Sequence, residues 1–574
     1  MTKFFDYYEG IEKEDTLPEG NEYDFLLERN KNHMGDIALS FDKRLITFEE
    51  LHERIDEYAR ALYKRGVRPG DSVGVCVVNT PESVYLIYAL NKLNATIIGL
   101  SPLNNEYKML RDIELTRPRM VISADLMFSK FKKAVHDMEV EPILYSPLLS
   151  SDNIILKLAY DAKQIIDGNK LFKRDNRLDK IYKAYKDYPV EEYPVHEKGT
   201  CNNIIFTGGS TGVHKGVELD GNGLNCVVKA IDHVLYLQPG MVHLGNIPFG
   251  NMCFGRLVLH YCLCNNIQYA LTLKAMPEDF YDELIRTHAN GAMGGPVHWE
   301  TLIDNPKVKK DSLKELIQPI SGGEQFKPKK LEQANAVLKY AGCDVPIGDG
   351  LGLTEMWAPT HVCLGGRNTP GTIGYPLPFV KSKIVDPNTL EELEDGKPGL
   401  LFVTGPGMML GYYNNPEETK NDIVIEGDTK WYNTKDLAIK LPNGEYKFVG
   451  RKKRNFVSNV DNIYPEQVEQ LLLQIPEIRE VIVTPIPDEH EQFLPKYHIS
   501  LKDINCDIDK LERSIYSIIG STLGESALPG YIEYYDKPLP RTDNGKLNSK
   551  LLSDNDLVEI ENNSLVRTRF RGNK

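Results

Sequence analysis

Residues 207–216 read TGGSTGVHKG and follow directly on an apolar run at 203–206. The groups in such a stretch suit one chemistry, the holding of an anion. Gly208, Gly209 and Gly212 leave nothing to block close approach to backbone N–H groups, Thr207, Ser210 and Thr211 carry hydroxyls, and Lys215 carries an ammonium. A nucleotide phosphate would use all three kinds of donor. The P-loop of NTPases needs a lysine followed by Ser or Thr, so that a hydroxyl at the start of a helix reaches the metal. Here His214 precedes Lys215 and Gly216 follows it, so the stretch is a different nucleotide loop or a flexible Gly/Ser turn.

The surrounding elements decide what such a loop can do. Thr47 and Glu50 have the spacing of a capping box, and Leu51, Ile55, Tyr58, Ala59 and Leu62 recur at helical spacing until Gly66. SVGVCVVN then reads as a strand, Thr80 and Pro81 open a second helix, and ATIIGL reads as another buried strand. Helix and strand in alternation predict an α/β fold with a largely parallel sheet. Ligands of such sheets bind beyond the carboxyl ends of the strands, which is where TGGSTGVHKG falls. Residues 152–192 are rich in lysine and tyrosine and read as a surface helical insertion, with a lid as the alternative. From about Asp386 short strands (SKIVD, GLLFVTG, YKFVGR) alternate with turns such as LPNGE. After a charged hinge at 451–454 come a helix (YPEQVEQLLLQ), a strand (EVIVTPI) and a helix (DKLERSIYSIIGSTL), the pattern of a small C-terminal α+β domain. The basic end, VRTRFRGNK, reads as a frayed tail.

At 574 residues the chain exceeds one core. Its hydrophobic content of 41% and charged content of 26% are those of an ordinary globular protein. The net charge of −14 gives no general attraction for nucleic acid or anionic lipid, so a phosphate site must be local. The first residues are acidic where a signal peptide would be basic and then apolar, and no stretch is apolar for long enough to span a membrane; a cytoplasmic enzyme is the expectation. The nine cysteines are scattered, with only Cys262 and Cys264 close together, and read as reduced core thiols.

Further stretches lie in order along the chain: TFEEL at 47–51, ISGGEQF at 320–326, GDGLGLTEM at 348–356, YNTKD at 432–436, GRKKRNFVSNVDNIYPEQVE at 450–469 and PRTDNGKLNSK at 540–550. Together with TGGSTGVHKG they resemble the adenylate-forming (AMP-binding) superfamily, which includes acyl-CoA synthetases, aryl-acid ligases, luciferases and the adenylation domains of peptide synthetases. The resemblance covers nearly the whole chain. It implies a large N-terminal domain, 1–450, built of α/β subdomains and a β-rich subdomain, and a small mobile C-terminal α+β domain, 451–574. It also implies an ATP- and Mg²⁺-dependent carboxylic acid ligase: the acid attacks the α-phosphate, pyrophosphate leaves, and the acyl group of the mixed anhydride passes to a thiol. Two anions must meet in that first step, so cations and N–H donors have to stand around the phosphates beforehand.

By this resemblance the loop from Thr207 through Gly208, Gly209, Ser210, Thr211 and Gly212 to Lys215 wraps the β- and γ-phosphates. Thr354 contacts the α-phosphate and Glu355 binds Mg²⁺, a cation that prefers hard oxygen ligands. Ser321, Gly322, Gly323 and Glu324 flank the adenine together with Asp349, Gly350, Leu351 and Gly352. Asp436 accepts the ribose hydroxyls, and Arg451 touches ribose or phosphate. Lys546 stands between the substrate carboxylate and the α-phosphate as a compact movable charge, and Lys453 is the hinge about which the small domain swings. The acid pocket is lined by Asn251, Met252, Gly294, Gly295, His298 and Gly322.

Several positions depart from the family pattern. His214 and Gly208 replace a usual Pro and a Ser or Thr, changing loop stiffness, and Leu351 replaces a stacking aromatic with aliphatic contact. Asn459 and Val460 stand where many relatives have the glycine that lets pantetheine pass, which narrows the thiol's path. The resemblance implies coenzyme A as the acyl acceptor, while the narrowed path motivates a phosphopantetheinyl carrier protein, an amine or no acceptor as the alternatives; a non-catalytic nucleotide sensor or scaffold is the alternative of another class. No carboxylate lies in residues 247–255 to hold an α-ammonium, so amino acids are disfavoured, and a fatty acid and an aryl acid both remain open.

Overall fold

The computed structural model describes residues 17–152, 155, 157–160, 163, 176–208, 214–323, 326–363, 369, 371–451, 454, 456–458, 461–488, 492–541, 547–549 and 552. The chain divides into two compact units, residues 1–382 with 403–432, and residues 383–402 with 433–574. The boundary that the sequence suggests at 450/451 thus lies inside the second unit.

In the first unit the local signals act as their chemistry requires. Helix Phe48–Lys64 starts where the Thr47 hydroxyl accepts the Glu50 N–H at 3.2 Å, and it buries Leu51, Ile55, Tyr58, Ala59 and Leu62. The reciprocal half of the capping box does not form. Glu50 turns its carboxylate to Arg44 and Arg54 instead, because two guanidiniums outbid one neutral N–H for a carboxylate. The helix ends at Lys64, two residues before Gly66, whose φ of +91° is open to glycine at little cost. Helix Pro81–Lys92 is capped by Thr80, carries Pro81 in its first turn, and is buried at every residue except Lys92.

Those helices sit among two large sheets. A seven-stranded sheet runs in the order Gly411–Tyr412, His214–Leu219, Asn203–Gly208, Thr96–Gly99, Ser72–Cys76, Met120–Ala124, Glu141–Tyr145. Its last five strands are parallel and its first two are added antiparallel. The middles of the parallel strands are largely apolar and buried, as in Val73, Val75, Ile97, Ile98, Val121, Ile122, Ile143, Ile204 and Ile205. A six-stranded sheet runs Gln318–Ser321, Gly291–Gly294, Val242–Gly245, Gln268–Leu271, Ile37–Phe41, Arg44–Thr47, parallel except for the last hairpin. A small antiparallel sheet of Asp349–Leu353, Ala358–Cys363 and Tyr375–Pro376 and the antiparallel pairing of Ile423–Glu426 with residues 429–432 also belong to this unit.

The region expected as a surface insertion divides in two. Ile155 and Leu158 are 82% and 65% exposed, whereas helix Leu178–Tyr185 buries Leu178 and Ile181 and sets Tyr182 against Tyr58. In the second unit, strand Asn433–Lys440, the later part of Thr429–Lys440, pairs with Tyr446–Arg451. A five-stranded sheet of Asp461–Ile463, Phe456–Ser458, Gln492–Leu501, Ile478–Asp488 and Tyr531–Tyr535 is packed by helices Pro465–Leu472 and Ile508–Leu523. Val468, Leu472, Val481, Ile499, Ile515 and Ile519 form its core. All nine cysteines are free thiols. No helix among the described residues is long and apolar enough to cross a membrane.

Candidate active site

The glycine-rich stretch connects two strands. Asn203–Gly208 lies parallel to Thr96–Gly99, and His214–Leu219 returns antiparallel beside it in a register that sets Thr207 opposite Lys215. A P-loop leads from a strand into a helix; here the chain folds back as a hairpin, so the lysine is fixed by strand pairing. Gly209, Ser210, Thr211 and Gly212 lie outside the described residues.

The Lys215 ammonium, 13% exposed, pairs with the Glu418 carboxylate, stands 3.8 Å from Asp422 Oδ2, and lies 4.5 Å from the centre of the Tyr412 ring. The same Tyr412 reaches the second predicted element. Its hydroxyl lies 3.0 Å from Glu355 Oε1, 3.0 Å from Asp422 Oδ2 and 3.4 Å from the Tyr432 hydroxyl. A phenol has one proton, so it donates to one of the two carboxylates at a time. Burial, and then the Glu355 charge, push the Tyr412 phenol well above its ordinary range, and Tyr432 moves the same way for the same reasons. Both phenols remain neutral donors at neutral pH.

Glu355 is held from its backbone. It sits with Thr354 in the short turn Thr354–Met356 at the end of strand Asp349–Leu353, and its carbonyl accepts the Met409 N–H at 2.8 Å. The next residues, Trp357 and Ala358, have φ of +54° and +88°, positions that side-chain-bearing residues rarely occupy. The fully buried Trp357 indole, donating to the Asp220 carbonyl at 2.8 Å, keeps the chain in this bend. Cys253 is also close: its buried thiol is pushed up first by burial and then by the Glu355 charge.

The two stretches expected at the adenine are adjacent. The Ser321 N–H donates to the Gly348 carbonyl at 2.8 Å, which aligns Ser321, Gly322 and Gly323 with Asp349 and Gly350. Gly323, at φ +87°, has open space where a Cβ would stand, whereas a Cβ on Gly350 would lie 2.2 Å from the His361 carbonyl oxygen. Burial pushes the Asp349 carboxyl up to about 6, opposed by the Gly350 N–H it accepts. Leu351 is half-buried and Gly352 exposed, while Glu324 lies outside the described residues.

The acid-pocket candidates gather at the carboxyl ends of neighbouring parallel strands. The Gly322 N–H donates to the Gly294 carbonyl at 3.1 Å, and His298 packs so closely that a Cβ on Gly294 would lie 2.7 Å from its own Cβ. Burial lowers the His298 pKa. Gly322 faces Met293 and, beyond it, Phe254, one turn into the stretch that carries Asn251 and Met252. Asn251 lies over Gly99, and its Oδ1 is buried with no partner among the described residues. Met252 is 42% exposed and is the most open of the set.

In the second unit Asp436 is fully buried, and Arg451 Nε lies 3.0 Å from its Oδ1, across the pair of strands that set the two residues opposite each other. The Asp436 N–H is accepted by the Thr434 hydroxyl at 3.1 Å. Arg454 is tied to Glu466 at 3.0 Å and to Glu469. Lys453 and Lys546 lie outside the described residues. Tyr412, Glu418, Asp422 and Cys253 were not singled out from sequence. The one available signal was the pair of carboxylates a helical turn apart in PEETKND, and it names no partner.

This glycine hairpin with its lysine, joined to an acidic turn at the end of a separate strand, defines a nucleotide-using enzyme. The chain belongs to the AMP-binding enzyme family, whose pattern matches residues 26–413, and the AMP-binding enzyme C-terminal domain matches 467–546. Among curated proteins it is similar to a long-chain-fatty-acid–CoA ligase of Bacillus subtilis (strain 168), 26% identical over 540 residues, covering 92% of each chain. Among solved structures it resembles ATP-bound MatB from Rhodopseudomonas palustris, with a TM-score of 0.78, 19% identity and coverage of 93% and 98% of the two chains. It also resembles a benzoate CoA ligase from Burkholderia xenovorans LB400, with a TM-score of 0.75, 19% identity and coverage of 93% and 100%.

Proposed function

We propose that the protein activates a carboxylic acid with ATP, through an acyl adenylate and with release of pyrophosphate, and then passes the acyl group to coenzyme A. One observation carries the reading: Tyr412 touches both the Lys215 ammonium and the Glu355 carboxylate, joining the glycine hairpin to the acidic turn in one cluster. Membership of the AMP-binding enzyme family supports it, as do the printed activities of the relatives that act as CoA ligases.

Within that reading, Thr207 to Lys215 bind the β- and γ-phosphates, Thr354 the α-phosphate, and Ser321 to Gly323 with Asp349 to Gly352 the adenine. Asp436 takes the ribose hydroxyls and Arg451 the ribose or phosphate, while Lys546 bridges the reacting carboxylate and α-phosphate. Glu355 fits Mg²⁺: it is a buried hard oxygen donor fixed at both backbone and side chain, and Mg²⁺ needs few protein ligands when phosphates supply the rest. When bound there, the ion neutralises phosphate charge. Among the described residues no three His, Cys, Asp or Glu side chains form a metal cage, and this assignment requires none. After adenylation, a swing about Lys453 withdraws Lys546 and lets the thiol of coenzyme A attack the acyl carbonyl, so that the carbon–sulfur bond forms as AMP leaves.

The test supplies ATP, Mg²⁺ and a panel of fatty, aryl and short-chain acids, with and without coenzyme A. Acid-dependent exchange of pyrophosphate into ATP, and an acyl-CoA product once coenzyme A is added, are expected. Absence of exchange with every acid refutes the ligase. Exchange without any thioester moves the acceptor to a carrier protein or an amine, and Val460→Gly then restores coenzyme A use if that side chain blocks the path.

A further inference from the structure

Lys215 has two carboxylate partners that differ in how easily they can leave. Strand Gly411–Tyr412 pairs antiparallel with His214–Leu219, Tyr412 opposite Val217, and helix Pro416–Asp422 follows it. This pairing brings the helix to Lys215. The one-turn spacing of Glu418 and Asp422 sets both carboxylates on one helix face, and both approach the ammonium. The Glu418 side chain is 28% exposed and in direct contact, whereas Asp422 is 1% exposed and 3.8 Å away. Asp422 is further held by the Tyr412 hydroxyl, and the Tyr412 ring lies beneath the ammonium.

We propose that Glu418 stands in for a nucleotide phosphate: its carboxylate occupies the Lys215 ammonium before ATP arrives, the triphosphate displaces it, and it returns as pyrophosphate leaves. This rests on the reading of residues 207–215 as the phosphate loop. A carboxylate and a phosphate oxygen compete for the same ammonium and repel each other, so the carboxylate that is easier to move gives way. The exposed partner moves at low cost, since water receives its charge; the buried Asp422 cannot leave without a donor and so retains the lysine through the exchange. Glu418 is thus a positioning residue that lowers ATP affinity and speeds product release through Lys215.

The experiment is calorimetric titration of ATP at fixed Mg²⁺, without acid, into the full chain. The proteins compared are the unaltered chain, Glu418→Gln, Lys215→Gln and the double variant. Glu418→Gln is expected to tighten ATP binding about fivefold, the range of a partly exposed ion pair, and to lower the KM for ATP in parallel. The gain shrinks as salt rises and is lost in the Lys215→Gln background. A merely structural pair predicts the reverse, since loosening Lys215 would weaken ATP. Unchanged or weakened binding by Glu418→Gln, or an equal gain without the lysine, overturns the proposal while leaving the ligase reading intact. An unaltered protein that binds no ATP overturns both.

Discussion

Replacing Tyr412 by Phe removes one oxygen and leaves the ring under Lys215. The hydroxyl stands 3.0 Å from each of two carboxylates that are 7% and 1% exposed, Glu355 and Asp422. Its single proton satisfies one of them, so one charge-assisted hydrogen bond is lost, worth about 1.5–3 kcal/mol, and one buried carboxylate is left without that donor. Relief of the crowding between phenol oxygen and second carboxylate offsets part of this, giving an expected loss of about 2 kcal/mol in the stability of the first unit. Because Glu355 also loses the contact that fixes its carboxylate, kcat/KM for ATP is expected to fall about tenfold to thirtyfold, equivalent to about 1.4–2 kcal/mol.

Two assays separate the parts. Urea unfolding of the unaltered and Tyr412→Phe proteins reports the stability term, and pyrophosphate exchange at several Mg²⁺ concentrations reports the catalytic one. The pH dependence adds a sign check. The Tyr412 phenol is held well above its ordinary value, first by burial and then by Glu355, so it stays protonated across the working range. The difference between Tyr and Phe should therefore be flat from neutral pH to about 9. A variant as stable and as active as the parent would refute the role given to this hydroxyl. A difference that vanishes on raising the pH within that range would show that the phenol ionises there, contrary to its surroundings.

The Asp349 carboxyl, pushed up by burial from the ordinary aspartate value of 3.8 to about 6, binds its proton more tightly folded than unfolded. Its ionisation therefore costs stability as pH rises between those values, so Asp349→Asn should be neutral below about pH 4 and stabilising above about pH 6, by at most about 3 kcal/mol. Loss of the carboxylate's bond from the Gly350 N–H reduces that gain, and unfolding midpoints at pH 4 and 8 decide the matter. At Gly99 a Cβ would lie 2.8 Å from the Gly250 carbonyl oxygen and 2.9 Å from the Asn251 Cα, both backbone atoms. Gly99→Ala should displace the loop that carries Asn251, costing about 1–3 kcal/mol of stability and raising the KM for the acid more than that for ATP. Equal changes in the two KM values would remove Asn251 from the acid pocket.

What could be read from the sequence divides by distance along the chain. The Thr47 and Thr80 caps, the helices they open and the parallel strands between them depend on neighbours a few residues away, and they form as the pattern requires. Where a charged partner competes, the backbone rule gives way even at short range: Glu50 abandons the capping box for Arg44 and Arg54. The return of the glycine stretch as a strand was hidden for a related reason. HKGVEL becomes a strand through its pairing with Asn203–Gly208 on one side and Gly411–Tyr412 on the other, and the second of these is about two hundred residues away.

The cluster around Tyr412 shows why long-range partners matter most at the chemistry. Strand pairing fixes Tyr412 beside the hairpin, so its ring supports the lysine assigned to phosphate, and its hydroxyl supports the carboxylate assigned to the metal. Anion and cation contacts are thereby set from one rigid side chain with two rotatable bonds, which keeps the entropy cost of organising the pair small. Two carboxylates approach the Lys215 ammonium and a third, Glu355, meets the Tyr412 hydroxyl, so negative charge is concentrated in the cluster before any ligand arrives. A divalent cation at Glu355 relieves that concentration, and a polyphosphate at Lys215 would worsen it unless Glu418 moved away. The arrangement therefore favours cation and nucleotide entering together over either one alone. The affinity for ATP should accordingly depend steeply on Mg²⁺, and that dependence should flatten when Glu418 is neutralised.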